Sequence, residues 1–181
     1  MKTPTKAQLA RAGRRDRIVA AAREIAEVDG WPAVTVRRLA DTIGFSQPVL
    51  YGHFPDGRDG IIRAVALDGF GRLAELLTAA DGLGELCAAY LGFARAAPAT
   101  YEAMFSMPTD LEFARPTTPE QLRAGFAPLL SAMGDETGAE ILWSALHGLA
   151  DLSRHDRLRP GHAAARVDML IGLFRPGRLP S

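Results

Sequence analysis

The sequence predicts an all-α protein of about nine helices. Apolar residues recur at three- and four-residue spacing along most of the chain, no stretch reads as a strand ladder, and Gly and Pro close or open the helical runs. Its 181 residues are 48% hydrophobic and 23% charged, an ordinary globular mix that can bury a real core. That length suits one large domain or a small one plus a medium one.

The elements follow in order. Residues 1–12 are polar and read as frayed or disordered. The first helix is expected over Gly13 to Asp29, with Ile18, Ala21, Ala22, Ile25 and Ala26 in one apolar stripe and Gly30 as its stop. Thr35 reads as an N-cap for a short helix from Val36 to Thr42, with Leu39, Ala40 and Ile43 inward and Gly44 as the turn. Ser46 caps the next helix. Pro48 then falls in the first turn, where its missing N–H breaks no helical hydrogen bond. Leu50 and Phe54, four apart, face the core, while Gln47 and Tyr51 share another face. Helix, glycine turn and short helix make a helix-turn-helix, the module that lays its second helix in the major groove of DNA.

Beyond the Pro55-Asp56-Gly57 break, helices are expected over Arg58–Ala80, Leu83–Ala96 and Ala99–Ser106. After a proline-broken loop, three more follow: one opened by Pro119 and running to Met133, one over Glu136–Arg154, and one opened by Pro160 and running to Phe174. The expected organisation is a three-helix helix-turn-helix domain over 1–57 and a larger helical domain over 58–181, which the family resemblance given below makes the ligand-binding and dimerisation domain.

Charge is unevenly placed although the net is zero. Residues 1–63 hold 11 Lys/Arg against 7 Asp/Glu, and the remainder 10 against 14. A basic end of this kind is expected to meet a polyanion. The single cysteine, Cys87, excludes an internal disulfide, suggests no thiolate metal site, and reads as an inert buried thiol. No apolar run reaches the length of a membrane span and the N-terminus has no apolar signal core, so a cytoplasmic protein is expected. No cofactor or metal is expected.

Over residues 14–67 the sequence resembles the tetracycline-repressor (TetR) family of bacterial transcription regulators. The matching pieces are Ala21-Ala22, Gly30-Trp31, Thr35-Val36-Arg37-Arg38-Leu39-Ala40, Gly44-Phe45-Ser46 and Leu50-Tyr51-Gly52-His53-Phe54, in order and spacing. The patch Leu142-Trp143-Ser144-Ala145-Leu146-His147-Gly148-Leu149 is similar to the Trp-His-Gly signature of one C-terminal domain type, with Leu146 where that type has tryptophan. The resemblance implies a homodimer that binds a double-stranded palindromic operator and a small-molecule effector. One departure stands in the head. The family's phosphate-contacting lysine has Gly57 in its place, followed by Arg58, so either Arg58 substitutes or one backbone contact is missing.

The chemistry of the head divides into affinity and specificity. Arg14, Arg15, Arg17, Arg37 and Arg38 can reach phosphates or bases. Thr35 offers a hydroxyl and a helix N-terminus, and Ser46 begins the recognition helix. Gln47 suits adenine, and Pro48 and Val49 suit a thymine methyl. Tyr51 and His53 suit phosphates, against readings in which Tyr51 packs on Phe45 and His53 only caps or packs. Gly52 costs about 1 kcal/mol of helix propensity, which a closer approach to the groove would offset.

In the C-terminal half, Phe93, Tyr101, Met104, Phe105, Trp143 and His147 are the candidates for an effector pocket, polar tips among apolar neighbours; their plain alternative is core. Ala145, Leu146, Leu149 and Leu152, with Val167, Leu170, Ile171 and Phe174, form apolar stripes in excess of one chain's needs. The resemblance implies a two-fold four-helix bundle there. Two rival readings stand beside this one. An enzyme would draw on His147, Asp151 and His155, but the His-Glu-x-x-His signature is absent. A helical dimer without DNA binding draws its support from Gly57.

Overall fold

The computed structural model describes residues 5–174. Among them are nine α-helices, one 3₁₀ turn and no strand: α1 Lys6–Asp29, the 3₁₀ turn Trp31–Ala33, α2 Val36–Ile43, α3 Gln47–His53, α4 Arg58–Thr78, α5 Gly82–Ala96, α6 Pro98–Phe105, α7 Glu120–Met133, α8 Glu136–Arg154 and α9 Ala163–Leu173. The all-α expectation holds. Two compact units divide the described residues, 5–69 with 99–111 and 70–98 with 112–174, and the chain passes between them inside α4, at the start of α6 and in the loop before α7.

Two helix starts differ from expectation by more than one residue. Helix α1 begins at Lys6, not near Gly13, because Thr5 and Gln8 form a capping box: Thr5 Oγ1 accepts from the Gln8 amide at 3.3 Å and Gln8 Oε1 from the Thr5 amide at 2.7 Å. Residues 5–12 are thus an ordered, exposed helical end, whereas residues 1–4 of the stretch expected to fray lie outside the described residues. Helix α9 begins at Ala163 rather than Pro160, since Asp156 (φ 53°) and Gly161 (φ 78°) turn the chain on either side of that proline.

In the first unit, Ile18, Ala22 and Ile25 of α1 are buried together with Leu39 of α2, Leu50 and Phe54, and Ile61 and Val65 of α4. Burying each large side chain contributes about 1.5–3 kcal/mol, which lets seven- and eight-residue helices persist that would melt alone. Gly44 sits at φ 70° as the C-cap of α2, the left-handed geometry that the turn between α2 and α3 requires. Polar ties reinforce the unit. Arg23 pairs with Asp68 at 2.5 Å, and Arg63 donates to the Thr109 carbonyl at 2.9 Å. The Glu27 carboxylate accepts from the Ala99 and Thr100 amides at 3.0 and 2.9 Å and from the Thr100 hydroxyl at 2.6 Å. Trp31 Nε1 donates to the Ala99 carbonyl at 2.9 Å. The first turn of α6 has no acid of its own, and Glu27 of α1 serves as its cap.

In the second unit, Leu77, Leu86, Tyr90, Leu129, Leu142 and Leu146 are buried. Cys87 is buried too, and burial pushes its thiol up to about 11. No helix among the described residues is long and apolar enough to cross a membrane.

Candidate nucleic-acid interface

The turn around Gly44 places α3 after α2 with Leu50 inward and Gln47, Pro48, Val49, Tyr51 and Gly52 exposed. Ser46 is the N-cap residue of α3, yet its side chain makes no cap hydrogen bond. Thr35 does cap with its side chain: Oγ1 accepts from the Arg38 amide at 3.1 Å. A Cβ built on Gly52 would meet nothing within 4 Å, so the chain's own packing does not call for glycine there.

The arginines divide by role. Arg11 donates to the Gly52 carbonyl at 2.9 Å, near the end of α3. Arg17 donates to the Ile43 carbonyl at 3.2 Å, at the end of α2, and lies over the Phe45 ring at 4.8 Å. Arg15 lies over Phe54 at 4.3 Å. Cations at helix C-termini and on aromatic faces are both favourable, so α1 clamps the helix-turn-helix. Arg38 pairs with Asp29. Arg14 and Arg37 are exposed and hold no hydrogen bond or ion pair among the described residues. Sequence reading gave Arg15 and Arg17 to phosphates or bases and gave Arg11 no role in the head; only their spacing from Phe45, Phe54 and the helix ends discloses the clamp.

His53 stands in this cationic surround. Burial first, then the charges of Arg11, Arg14 and Arg15, push its imidazole below the ordinary 6.5. Arg58 is half-buried. Its Nε donates to the Val34 carbonyl at 3.0 Å and an Nη to the Trp31 carbonyl at 2.9 Å, anchoring the start of α4 to the loop before α2. Gly57, at φ 59°, would bring a Cβ within 3.3 Å of the Tyr51 ring.

The six effector candidates fall in both units. Tyr101 and Met104 are buried in the first, Tyr101 packs against Phe105 with ring centroids 4.7 Å apart, and Met104 fills the space left by the missing Cβ of Gly69. In the second unit, Phe93 is buried and carries the Arg72 guanidinium 5.8 Å from its ring. Trp143 donates to the Tyr90 hydroxyl at 3.1 Å and meets Phe113 and Phe126 at 5.7 and 6.1 Å. Burial lowers the His147 imidazole, opposed by the charge of Asp151. Among the described residues no group of three or more His, Cys, Asp or Glu could hold a metal.

The eight residues expected at a dimer face are placed as follows. Leu146 and Leu170 are buried in the chain's own core, Leu149 and Val167 line a cavity within the second unit, and Ile171 lies against Gly84 of α5. Ala145 and Phe174 are half-buried. Leu152 is exposed, as are Ile141 on α8 and Met169 and Leu173 on α9, which were not among the eight.

A buried three-helix scaffold that exposes one short helix beside a row of arginines defines a helix-turn-helix DNA-binding protein. The comparisons agree. Residues 18–65 match the family described as bacterial regulatory proteins, tetR family, and residues 83–174 match the tetracyclin repressor-like C-terminal domain. The chain belongs to the TetR family of transcription regulators. A relative, the uncharacterized HTH-type transcriptional regulator Rv0681 of Mycobacterium tuberculosis (strain ATCC 25618 / H37Rv), is 28% identical over 152 residues, 74% of this chain and 67% of its own length. Two solved structures share the fold. SCO4313 does so at 24% identity and TM-score 0.70, over 94% of this chain and 100% of its own. The multidrug binding protein EbrR, complexed with imidazole, does so at 24% identity and TM-score 0.63, over 93% and 92%.

Proposed function

We propose that the chain is a cytoplasmic repressor that grips a palindromic operator as a homodimer and releases it when a small molecule binds. The exposed face of α3 beside the clamped arginine row carries this reading. Gln47, Pro48 and Val49 read base edges, while Tyr51, His53, Arg14 and Arg37 meet phosphates. Gly52, which no intrachain contact requires, lets the α3 backbone approach the groove. Arg58, engaged with two carbonyls, sets the angle of α4 rather than standing in for a lysine.

Dimerisation uses the outer faces of α8 and α9, where Ile141, Leu152, Met169 and Leu173 are 43–72% exposed. Large apolar side chains grouped on two helices suit a two-fold partner. The effector site is built in the second unit around Phe93, Trp143 and His147, with aromatic walls and a neutral imidazole as polar handle. EbrR, a multidrug binding protein of the same fold, was crystallised in complex with imidazole, which supports a small-molecule effector. An effector that weakens operator binding a hundredfold must itself bind the DNA-bound form a hundredfold more weakly, about 2.7 kcal/mol of coupling.

The test is a gel-shift with DNA flanking the protein's own gene. Gln47→Ala and Tyr51→Ala should each lose about 1–3 kcal/mol of binding while melting and sedimenting as the parent does. Full-strength shifts from both variants would sink the assignment of α3.

A further inference from the structure

A cavity of about 320 Å³ opens within the second unit between α5, α8 and α9. Its wall is apolar, with Leu91, Leu149 and Val167 facing the space. Three guanidinium groups join that wall from three different helices: Arg95 of α5, Arg154 of α8 and Arg166 of α9. None of the described residues that line it is acidic. Arg154 Nη1 donates to the Pro98 carbonyl at 2.9 Å, and an Nη of Arg166 donates to the Arg159 carbonyl. Those bonds hold both forks in place. Arg95 and Arg166 have no ion pair among the described residues.

Arg95 and Arg166, neither in an ion pair among the described residues, bring two cations to one apolar cavity with no acid in its lining, so the arrangement gains from an anion. A guanidinium offers five donors in a planar fork that matches a carboxylate bidentately. A bare inorganic anion would leave the apolar wall wet. The volume lies at the small end of ligand cavities, roughly 300–1,000 Å³, which suits a compact body. We propose that this cavity binds a small organic carboxylate with an aryl or short acyl body, its head on Arg95 and Arg166 and its body against Leu91, Leu149 and Val167. The site goes beyond the regulator reading and does not rest on it, since none of Phe93, Trp143 and His147 lines it.

The experiment is calorimetric titration of the full chain, without DNA, using octanoate, benzoate, 1-octanol and inorganic phosphate. Octanoate or benzoate should bind one per chain, and octanol and phosphate at least about tenfold more weakly, the loss expected when a charge-assisted pair or the apolar body is removed. The Arg95→Gln/Arg166→Gln double variant should lose about tenfold or more for the carboxylate and keep the parent's weak octanol binding. If the double variant melts early, Arg95→Gln alone, at an exposed position, carries the same test. Trp143→Phe should bind the carboxylate as the parent does. The proposal is overturned by equal binding of octanoate and octanol, by phosphate binding as tightly as either carboxylate, by a folded arginine variant with parental carboxylate affinity, or by loss of binding in Trp143→Phe. A failed operator gel-shift leaves this result untouched, and the two readings fail separately.

Discussion

Replacing Glu27 with alanine should loosen α6 from α1 without touching the DNA-facing surface. The carboxylate accepts three hydrogen bonds at the start of α6, two from amides and one from the Thr100 hydroxyl, and Thr100 is fully buried. Hydrogen bonds to a charged group contribute about 1.5–3 kcal/mol each, but three on one carboxylate share a single desolvation cost and water re-enters a half-buried site. A net loss of about 2–4 kcal/mol follows, and at about 2–4 °C per kcal/mol for a chain of this size Tm should fall by about 4–16 °C. Glu27→Gln keeps one acceptor oxygen but turns an NH₂ toward a donor, so its loss should lie between parent and alanine. Calorimetric melting of Glu27→Ala, Thr100→Val and the double variant gives the coupling directly. A fall in Tm below about 2 °C for Glu27→Ala, or full additivity with Thr100→Val, would refute the capping argument.

Arg58→Ala should cost about 1–3 kcal/mol of stability through its two carbonyl contacts and leave the salt slope of DNA binding unchanged; a slope lower by about one would show a phosphate contact instead. Gly57→Lys should destabilise by about 1 kcal/mol, because φ 59° is left-handed and the new Cβ crowds Tyr51, and any gain in DNA affinity would appear against that loss in melting scans. Leu152→Arg with Met169→Arg should yield monomers in sedimentation at micromolar concentration, whereas dimers would move the interface elsewhere. For His53 the folded pKa is depressed, so its contribution to stability is present above 6.5 and is lost as pH falls through that value toward the folded pKa. Phosphates would offset the neighbouring arginine charges, so operator binding should take up a proton and strengthen from pH 7.5 to 6 relative to His53→Gln; parallel pH profiles would remove His53 from the contact surface.

The helix-turn-helix was legible because its signals are local: the Thr35 cap, the Gly44 turn, the Pro48 first turn and the Leu50–Phe54 spacing lie within a few residues of what they control. The first half of α1 was not, because a solvent-exposed helix has no apolar stripe and its start rests on one capping box. The roles of Arg11, Arg15 and Arg17 were hidden for another reason. An arginine reads as a phosphate ligand until the fold shows which carbonyl or ring lies beside it. Glu27 depends on a contact 72 residues away, beyond any periodicity. Helices α8 and α9 are apolar on two sides, one for the chain and one left exposed, and spacing alone does not tell Leu146 and Leu170 from Ile141 and Met169.

The central claim, that two copies of this head read DNA through α3, is tested most directly by selecting bound duplexes from a random pool with the intact protein. The account predicts enrichment of one palindromic motif with half-sites separated by about one turn, 34–36 Å, and loss of that enrichment in the Gln47→Ala/Tyr51→Ala double variant. An unenriched pool, or a motif that the double variant selects equally well, would contradict it.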